Sequence, residues 1–273
     1  MTWVRRWFNV VPLGDAVRHL RARTLPARSL AITFDDGYAN NYKVALPVLN
    51  RLGLPATFFV ASGYLDGGRM FNDTVIEAVR RCRGEVLDLS DLRLGRHPLR
   101  IIAERRAAVD QLLPALVHLP AGEREAKVAA IAERCGSPLP RDLMMTSDQV
   151  AKLHESGMSV GAHTLSHPIL PTLNSEAATR EIVLGRSRLE EITGAPIELF
   201  AYPNGKPGQD YDRTHVQMAR DLGFQGAVST AIGVATAGSD LFQLPRFTPW
   251  DRSSFKYGLR LADNLRRTAV SVA

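Results

Sequence analysis

Cysteine is scarce in this chain: Cys82 and Cys135 are the only two in 273 residues. Two cysteines without a CxxC spacing exclude a disulfide framework and a thiolate metal site, and they read as reduced thiols. Long apolar runs are missing as well. No stretch approaches the ~18 uninterrupted apolar residues that a membrane-spanning helix needs. Residues 1–14 carry Arg5 and Arg6 but no long apolar core, and Asp15, Arg18, Arg21 and Arg23 follow at once. No secretory leader is legible there, so the expectation is a soluble cytoplasmic protein. Aromatic residues make up only 7%, and no compact basic cluster interleaves with them. The net charge of +6 therefore points to no nucleic-acid partner. Internal repeats and low-complexity tracts are also absent, which excludes a solenoid.

What is present is ordinary globular composition, 45% hydrophobic and 23% charged. That excludes a disordered chain. The length suits a single domain over residues 1–273. Short β-rich runs at 30–34 and 56–60 flank a helical pattern over 40–52. Pro47 lies inside that pattern and should kink or split it. From about 73 to 135 only helical patterns appear, over 73–82, 99–113 and 123–135, and the expectation is a helical insertion at about 68–142. Beyond it, strands are expected over 158–162, 199–202, 226–230 and 241–246. Helices are expected from the capping-box spacing Thr146-Ser147-Asp148-Gln149 to about Gly157, over 175–193 with a Gly194 stop, over 212–222 and over 252–267. Strand–helix alternation of this kind predicts an α/β fold with a parallel sheet or barrel.

Three polar motifs each follow a strand, where parallel sheets collect their ligands. The first is Thr33-Phe34-Asp35-Asp36-Gly37-Tyr38. Its two carboxylates can divide the work of metal ligand and base, or one can simply cap a turn. The second is His163-Thr164-Leu165-Ser166-His167-Pro168. Two imidazoles four residues apart can meet one divalent ion, and a carboxylate would complete the set with positions left for water. A lone histidine would instead be a satisfied core residue. The third is Tyr202-Pro203-Asn204-Gly205, a turn that can aim a backbone N–H outward as an oxyanion donor.

These motifs, in this order and at these separations, resemble the polysaccharide deacetylases of carbohydrate esterase family four, which share the homology domain named for the nodulation chito-oligosaccharide deacetylase. The resemblance covers residues 30–60 and 143–250. It implies a distorted (β/α) barrel, here of about seven units with the helical insertion. It implies a hydrolase acting on carbon–nitrogen bonds other than peptide bonds, with a divalent metal, most often zinc, as cofactor. It makes Asp36, His163 and His167 the metal ligands, Asp35 the catalytic base and the Asn204 N–H the oxyanion donor. The implied partner is an acetylated glycan, such as a surface polysaccharide or exopolysaccharide under synthesis. The sequence departs from the family pattern in three places, one of them the absence of the usual later Asp-Trp pair between Gly226 and Asp240. Ala201 stands where many members have arginine. Leu244-Pro245-Arg246 stands where a late motif usually brings a histidine acid, and guanidinium does not give up its proton. Arg246 is expected to line the site and orient Asp35 or a polar substrate group. Tyr202 and Trp250 are candidate substrate contacts. The arginines of the insertion form either a basic face towards a membrane surface or a solvated helix surface. An O-acetyl esterase and a non-catalytic glycan-binding homologue are the alternative functions.

Overall fold

The β-rich runs of the sequence assemble into a parallel sheet whose strands end where the polar motifs begin. The computed structural model describes residues 1–248, 251, 253–267 and 271–272. It comprises two compact units, one of Met1–Asp66 with Met144–Ala273 and one of Gly67–Leu143.

The first unit opens with helix α1 (Thr2–Trp7), strand β1 (Asn9–Val10), helix α2 (Leu13–Ala22) and strands β2 (Ser29–Leu30) and β3 (Thr33–Phe34). The run 30–34 is thus shared between two strands, and β2 pairs with β1. The helix expected over 40–52 is split. Residues Asn41–Ala45 form a π-helical turn, and α3 (Leu46–Leu52) follows. Pro47 has no N–H to give to the carbonyl one turn back, and such a gap in the ladder favours a wide turn. Strand β4 (Thr57–Val60) then pairs with β3.

The second unit holds α4 (Phe71–Arg81), β5 (Val86–Leu89), β6 (Gly95–Pro98), α5 (Ile102–Val117) and α6 (Ala121–Cys135). Only helices were expected here, and the antiparallel hairpin of β5 and β6 corrects that reading. Its alternation is present, with Leu87 and Leu89 buried and Val86 and Asp88 exposed. Four-residue strands rich in Leu, Asp and Arg carry little β propensity, so the signal is weak. Hairpin and helices enclose Val75, Val79, Leu112, Leu116 and Ile131 in a core of their own. Cys82 and Cys135 lie in it as free, buried thiols. Burial, with Cys82 alongside, pushes the Cys135 thiol up to about 12, far from a reactive thiolate.

The first unit resumes with α7 (Ser147–Glu155), β7 (Ser159–Ala162), α8 (Ser175–Thr193), β8 (Leu199–Ala201), α9 (Arg213–Asp221), β9 (Gly226–Val228) and α10 (Ser254–Asn264). The capping box closes as the spacing predicts. The Gln149 N–H donates to Thr146 Oγ1 at 3.2 Å, and the Thr146 N–H donates to Gln149 Oε1 at 3.1 Å. Asp212 caps α9 by accepting from the Thr214 N–H at 2.8 Å. The strand expected over 241–246 is reduced to one parallel bridge, Val228 to Leu244. Pro245 offers no N–H to a longer ladder.

The sheet order is β3-β4-β7-β8-β9, with every neighbouring pair parallel. It is the half-barrel of a distorted (β/α) barrel, the fold class the sequence predicts. Both faces of the sheet are covered. Phe58 and Val60 of β4 share a core with Leu153 of α7 and Ile182 and Leu189 of α8. Phe59 between them packs instead with Leu13, Val17 and Leu20 of α2. Each such side chain contributes roughly 1.5–3 kcal/mol on burial. A one-residue slip would exchange the two sets, so this pattern fixes the register. The loops after β3, β7 and β8 therefore meet at one end of the sheet.

Candidate metal centre and active site

A carboxylate from the loop after β3 meets two imidazoles from the loop after β7. Asp36 Oδ1 lies 3.4 Å from Nε2 of His163 and 3.4 Å from Nε2 of His167. Ligand atoms of all three lie within 4.8 Å of one another. Tetrahedral ligands at zinc distances stand about 3.3–3.4 Å apart. The observed spacing thus suits one shared ion better than direct hydrogen bonds, which run shorter. His163 Nδ1 donates to the Ala201 carbonyl at 2.7 Å. That bond puts a proton on Nδ1 and turns Nε2 towards Asp36 and His167.

Burial opposes charge throughout this cluster. It pushes the His167 imidazole down to about 4, helped by the charge of His163. His167 is therefore neutral at pH 7 and able to donate its lone pair to a metal. Burial also pushes the Asp36 carboxyl up. The neighbouring His163 above all, with His167 and Arg246, outweighs it and leaves Asp36 below its ordinary value. One anion and two imidazoles of this kind fit a divalent ion by donor chemistry as well as by spacing.

The backbone is strained where it carries these groups. Asp36 (φ 74°), Thr164 (φ 63°), His167 (φ 52°) and Asn204 (φ 57°) all adopt the left-handed conformation without being glycine. Such residues persist where their surroundings over-determine them, and they gather at functional sites. Gly37 (φ 88°) has no alternative, because a Cβ there would stand 2.8 Å from Val60 Cγ1. The His167 N–H donates to Thr164 Oγ1 at 3.0 Å. This closes the turn that sets the two imidazoles together, with ring centroids 4.7 Å apart.

Asp35 lies beside the cluster. Arg246 Nη1 donates to Asp35 Oδ1 at 2.7 Å, and Arg246 Nε donates to the Ser229 carbonyl at 2.9 Å. The Arg246 side chain is only 13% exposed, so it points inward and not to solvent. Asn204 sits in the loop after β8, where its carbonyl accepts from Thr230 Oγ1 at 2.8 Å. Among the described residues no hydrogen bond uses the Asn204 N–H. Tyr202 requires a correction. It was expected against substrate, but it is fully buried. Its hydroxyl donates to the Phe242 carbonyl at 3.0 Å, and its ring stacks on Tyr211 with centroids 4.0 Å apart. Chain parity is the reason. Ala201 joins the core on the α2 face, so Tyr202 turns to the opposite one. Trp250 lies outside the described residues.

One residue beside the site escapes sequence reasoning. Glu181 of α8 accepts from the Leu165 and Ser166 N–H groups at 3.1 and 2.7 Å and from Ser166 Oγ at 2.8 Å. The signal that could have found it is Gly185, one turn further along α8. A glycine inside a helix marks a close approach, and a Cβ at Gly185 would stand 2.4 Å from the carbonyl carbon of Thr164.

A family model for polysaccharide deacetylase matches residues 22–85 and 128–227 of this chain. Those spans include Asp35, Asp36, His163, His167 and Asn204, and they end before Arg246. YxkH of Bacillus subtilis (strain 168), whose name assigns it provisionally to the polysaccharide deacetylases, is 19% identical over 219 residues. That alignment covers 80% of this chain and 50% of YxkH, so the chain spans half the length of this relative. Among solved structures, the Streptococcus pyogenes deacetylase PplD in complex with acetate superposes with a TM-score of 0.60 at 20% identity, over 94% of this chain and 80% of that one. IcaB from Ammonifex degensii gives 0.58 at 19%, over 96% and 84%. The BpsB deacetylase domain from Bordetella bronchiseptica gives 0.57 at 18%, over 90% and 81%. At these identities the likeness to the solved structures is one of fold. Among the described residues no helix is long and apolar enough to cross a membrane.

Proposed function

Because this chain belongs to the polysaccharide deacetylase family, we propose that it removes N-acetyl groups from an N-acetylated polysaccharide or its precursor, with a divalent ion held by Asp36, His163 and His167. The observation that carries this reading is the 3.4 Å spacing of Asp36 Oδ1 from both imidazole Nε2 atoms. A divalent ion there, most simply zinc, supplies a Lewis acid for the acetyl oxygen and acidifies a water towards a pKa of ~7. Asp35 is the base that accepts the attacking water's proton at its carboxylate. Arg246 holds that carboxylate in position through Nη1. The Asn204 N–H donates to the acetyl oxygen as negative charge grows on it. The C–N bond then breaks, acetate leaves and the sugar keeps a free amine. Arg246 does not release a proton at working pH. The amine therefore takes its proton from Asp35, which has just gained one, or from solvent.

A second reading, hydrolysis of an O-acetyl ester, is favoured by Arg246 itself. An alcohol needs less help from an acid to leave than an amine does. Surface or exopolysaccharide synthesis is the setting that suits either substrate, with the protein acting in the cytoplasm, free or at the membrane surface. Acetate release from N-acetylated chitin oligomers and from an O-acetylated oligosaccharide tests both readings. The expected result is release from the N-acetylated substrate, abolished by a chelator and restored by zinc. Release from the ester alone would favour the second reading. Release from neither by the zinc-loaded protein would leave a glycan-binding role.

A further inference from the structure

We infer that Glu181 is the positioning residue of the metal centre, acting through the loop that carries His167. This rests on the metal reading above and goes beyond it, because Glu181 touches neither an ion nor a substrate. The two imidazoles are held by different means. The His163 ring is fixed from behind by its Nδ1–H bond to the Ala201 carbonyl. The His167 ring receives no hydrogen bond of that kind from another residue among those described, and its neighbour on the ligand side is Asp36. Its position is therefore inherited from its backbone, which is left-handed at φ 52°.

That backbone is clamped at four points, one of them the Ser166 carbonyl, which accepts from the Tyr64 hydroxyl at 2.8 Å. Thr164 Oγ1 accepts the His167 N–H at 3.0 Å. The Leu165 carbonyl accepts the Gly63 N–H at 2.8 Å. Between these, the Glu181 carboxylate accepts the consecutive N–H groups of Leu165 and Ser166, at 3.1 and 2.7 Å, and the Ser166 hydroxyl at 2.8 Å. Three donors on one carboxylate make the strongest of the four clamps, since charge-assisted bonds are roughly twice as strong as neutral ones. Two successive N–H groups converging on an anion also form a nest, which fixes the local dihedral angles. Gly185 makes the reach possible by letting α8 approach the loop backbone. Without the carboxylate those N–H groups turn to water. The left-handed conformation at Thr164 and His167 then loses its main support, and the His167 Nε2 moves out of register with Asp36 and His163.

The test compares the parent protein with Glu181→Ala, Glu181→Asp and Glu181→Gln. Zinc affinity is measured by competition with a chromophoric chelator, and the Tm of the metal-free proteins is recorded alongside. Glu181→Ala is expected to bind zinc ~10–100-fold more weakly, the effect usual for a group that orients a ligand. Glu181→Asp keeps the charge but is one methylene short of the loop, and a similar loss is expected. Glu181→Gln can still accept both N–H groups, and its affinity should stay within about fivefold of the parent. The cobalt-substituted protein should report the same order, with the visible bands displaced in Glu181→Ala and restored in Glu181→Gln. A role confined to helix packing would lower Tm and leave zinc affinity alone. Zinc binding by Glu181→Ala within twofold of the parent overturns the inference, and so does a Glu181→Gln as weak as Glu181→Ala. A parent protein that binds no zinc overturns the metal reading first and this inference with it.

Discussion

The two halves of the candidate site differ in how completely their parts are held. On the metal half, Asp36, His163 and His167 converge on a common point, and the loops that carry them are tied down bond by bond. On the half proposed to face the leaving group, one arginine bridges Asp35 and the Ser229 carbonyl, and the Asn204 N–H on a turn remains unused among the described residues. Arg246 Nη2 is buried there without a hydrogen-bond partner among the described residues. The metal half lies within the spans matched by the family model, whereas Arg246 lies beyond them. The difference teaches that motifs following strands specify ligand chemistry. The residue that contacts Asp35 comes from elsewhere in the chain, and here it carries a fixed charge and gives up no proton.

The largest effect is expected from breaking the metal half. His163→Ala removes one of three ligands, and the divalent metal, about one equivalent in the parent by elemental analysis, should fall to background. Deacetylation should fall by ~10³-fold or more, since several kcal/mol of charge stabilisation go with the ion. Metal retained at the parent level would remove the ligand assignment. Asp35→Asn comes next. It keeps the shape and the contact with Arg246 but cannot accept the water's proton. The expected fall in kcat is ~10²–10⁴-fold with metal content unchanged. Near-parent turnover would show that Asp35 is not the base.

A smaller effect, and a sharper comparison, comes from Arg246. Arg246→Ala deletes a charge-assisted bond to Asp35, a class worth about 1.5–3 kcal/mol. The expected loss in kcat/KM is ~10–100-fold, with zinc affinity little changed because the metal half is held separately. Arg246→His installs a group that can donate a proton and should add an alkaline limb to the pH–rate profile, near the ordinary histidine value of ~6.5. Rates and pH profile of Arg246→Ala that overlay the parent would make the arginine a bystander.

How much of this was legible in the sequence depends on whether local order decided it. Asp36, His163 and His167 each follow a short apolar run. Parallel strands deliver such residues to one end, so their meeting follows from strand direction alone. The capping box at Thr146 and the stop at Gly194 are equally local. The hairpin over 86–98 was hidden because alternation over four residues is faint beside the helical patterns around it. Glu181 was hidden for another reason. A glutamate on a helix reads as solvated surface, and only the approach of α8 to the His163–His167 loop gives it a task. The direction of Tyr202 depended on the parity of β8 against two cores, which a run of consecutive apolar residues does not disclose.

Tyr202 also supplies the smallest predicted effect, and it marks the boundary of the leaving-group half. Tyr202 is the first residue of the third motif, whose third, Asn204, is proposed to serve the reaction. If the whole motif faced substrate, removing the tyrosine hydroxyl would raise KM. The buried ring and the bond from its hydroxyl to the Phe242 carbonyl argue otherwise. Burial also pushes the phenol well above its ordinary value, so it is neither an acid nor a base at working pH. Tyr202→Phe keeps the stack on Tyr211 and deletes one hydrogen bond, leaving the Phe242 carbonyl without that donor. The expected cost is about 1–2 kcal/mol of stability, read from denaturant unfolding, because a buried acceptor loses its partner. KM and kcat should stay within about twofold of the parent, a difference under ~0.5 kcal/mol. A severalfold rise in KM with unchanged stability would return Tyr202 to the substrate and extend the leaving-group half across the whole motif.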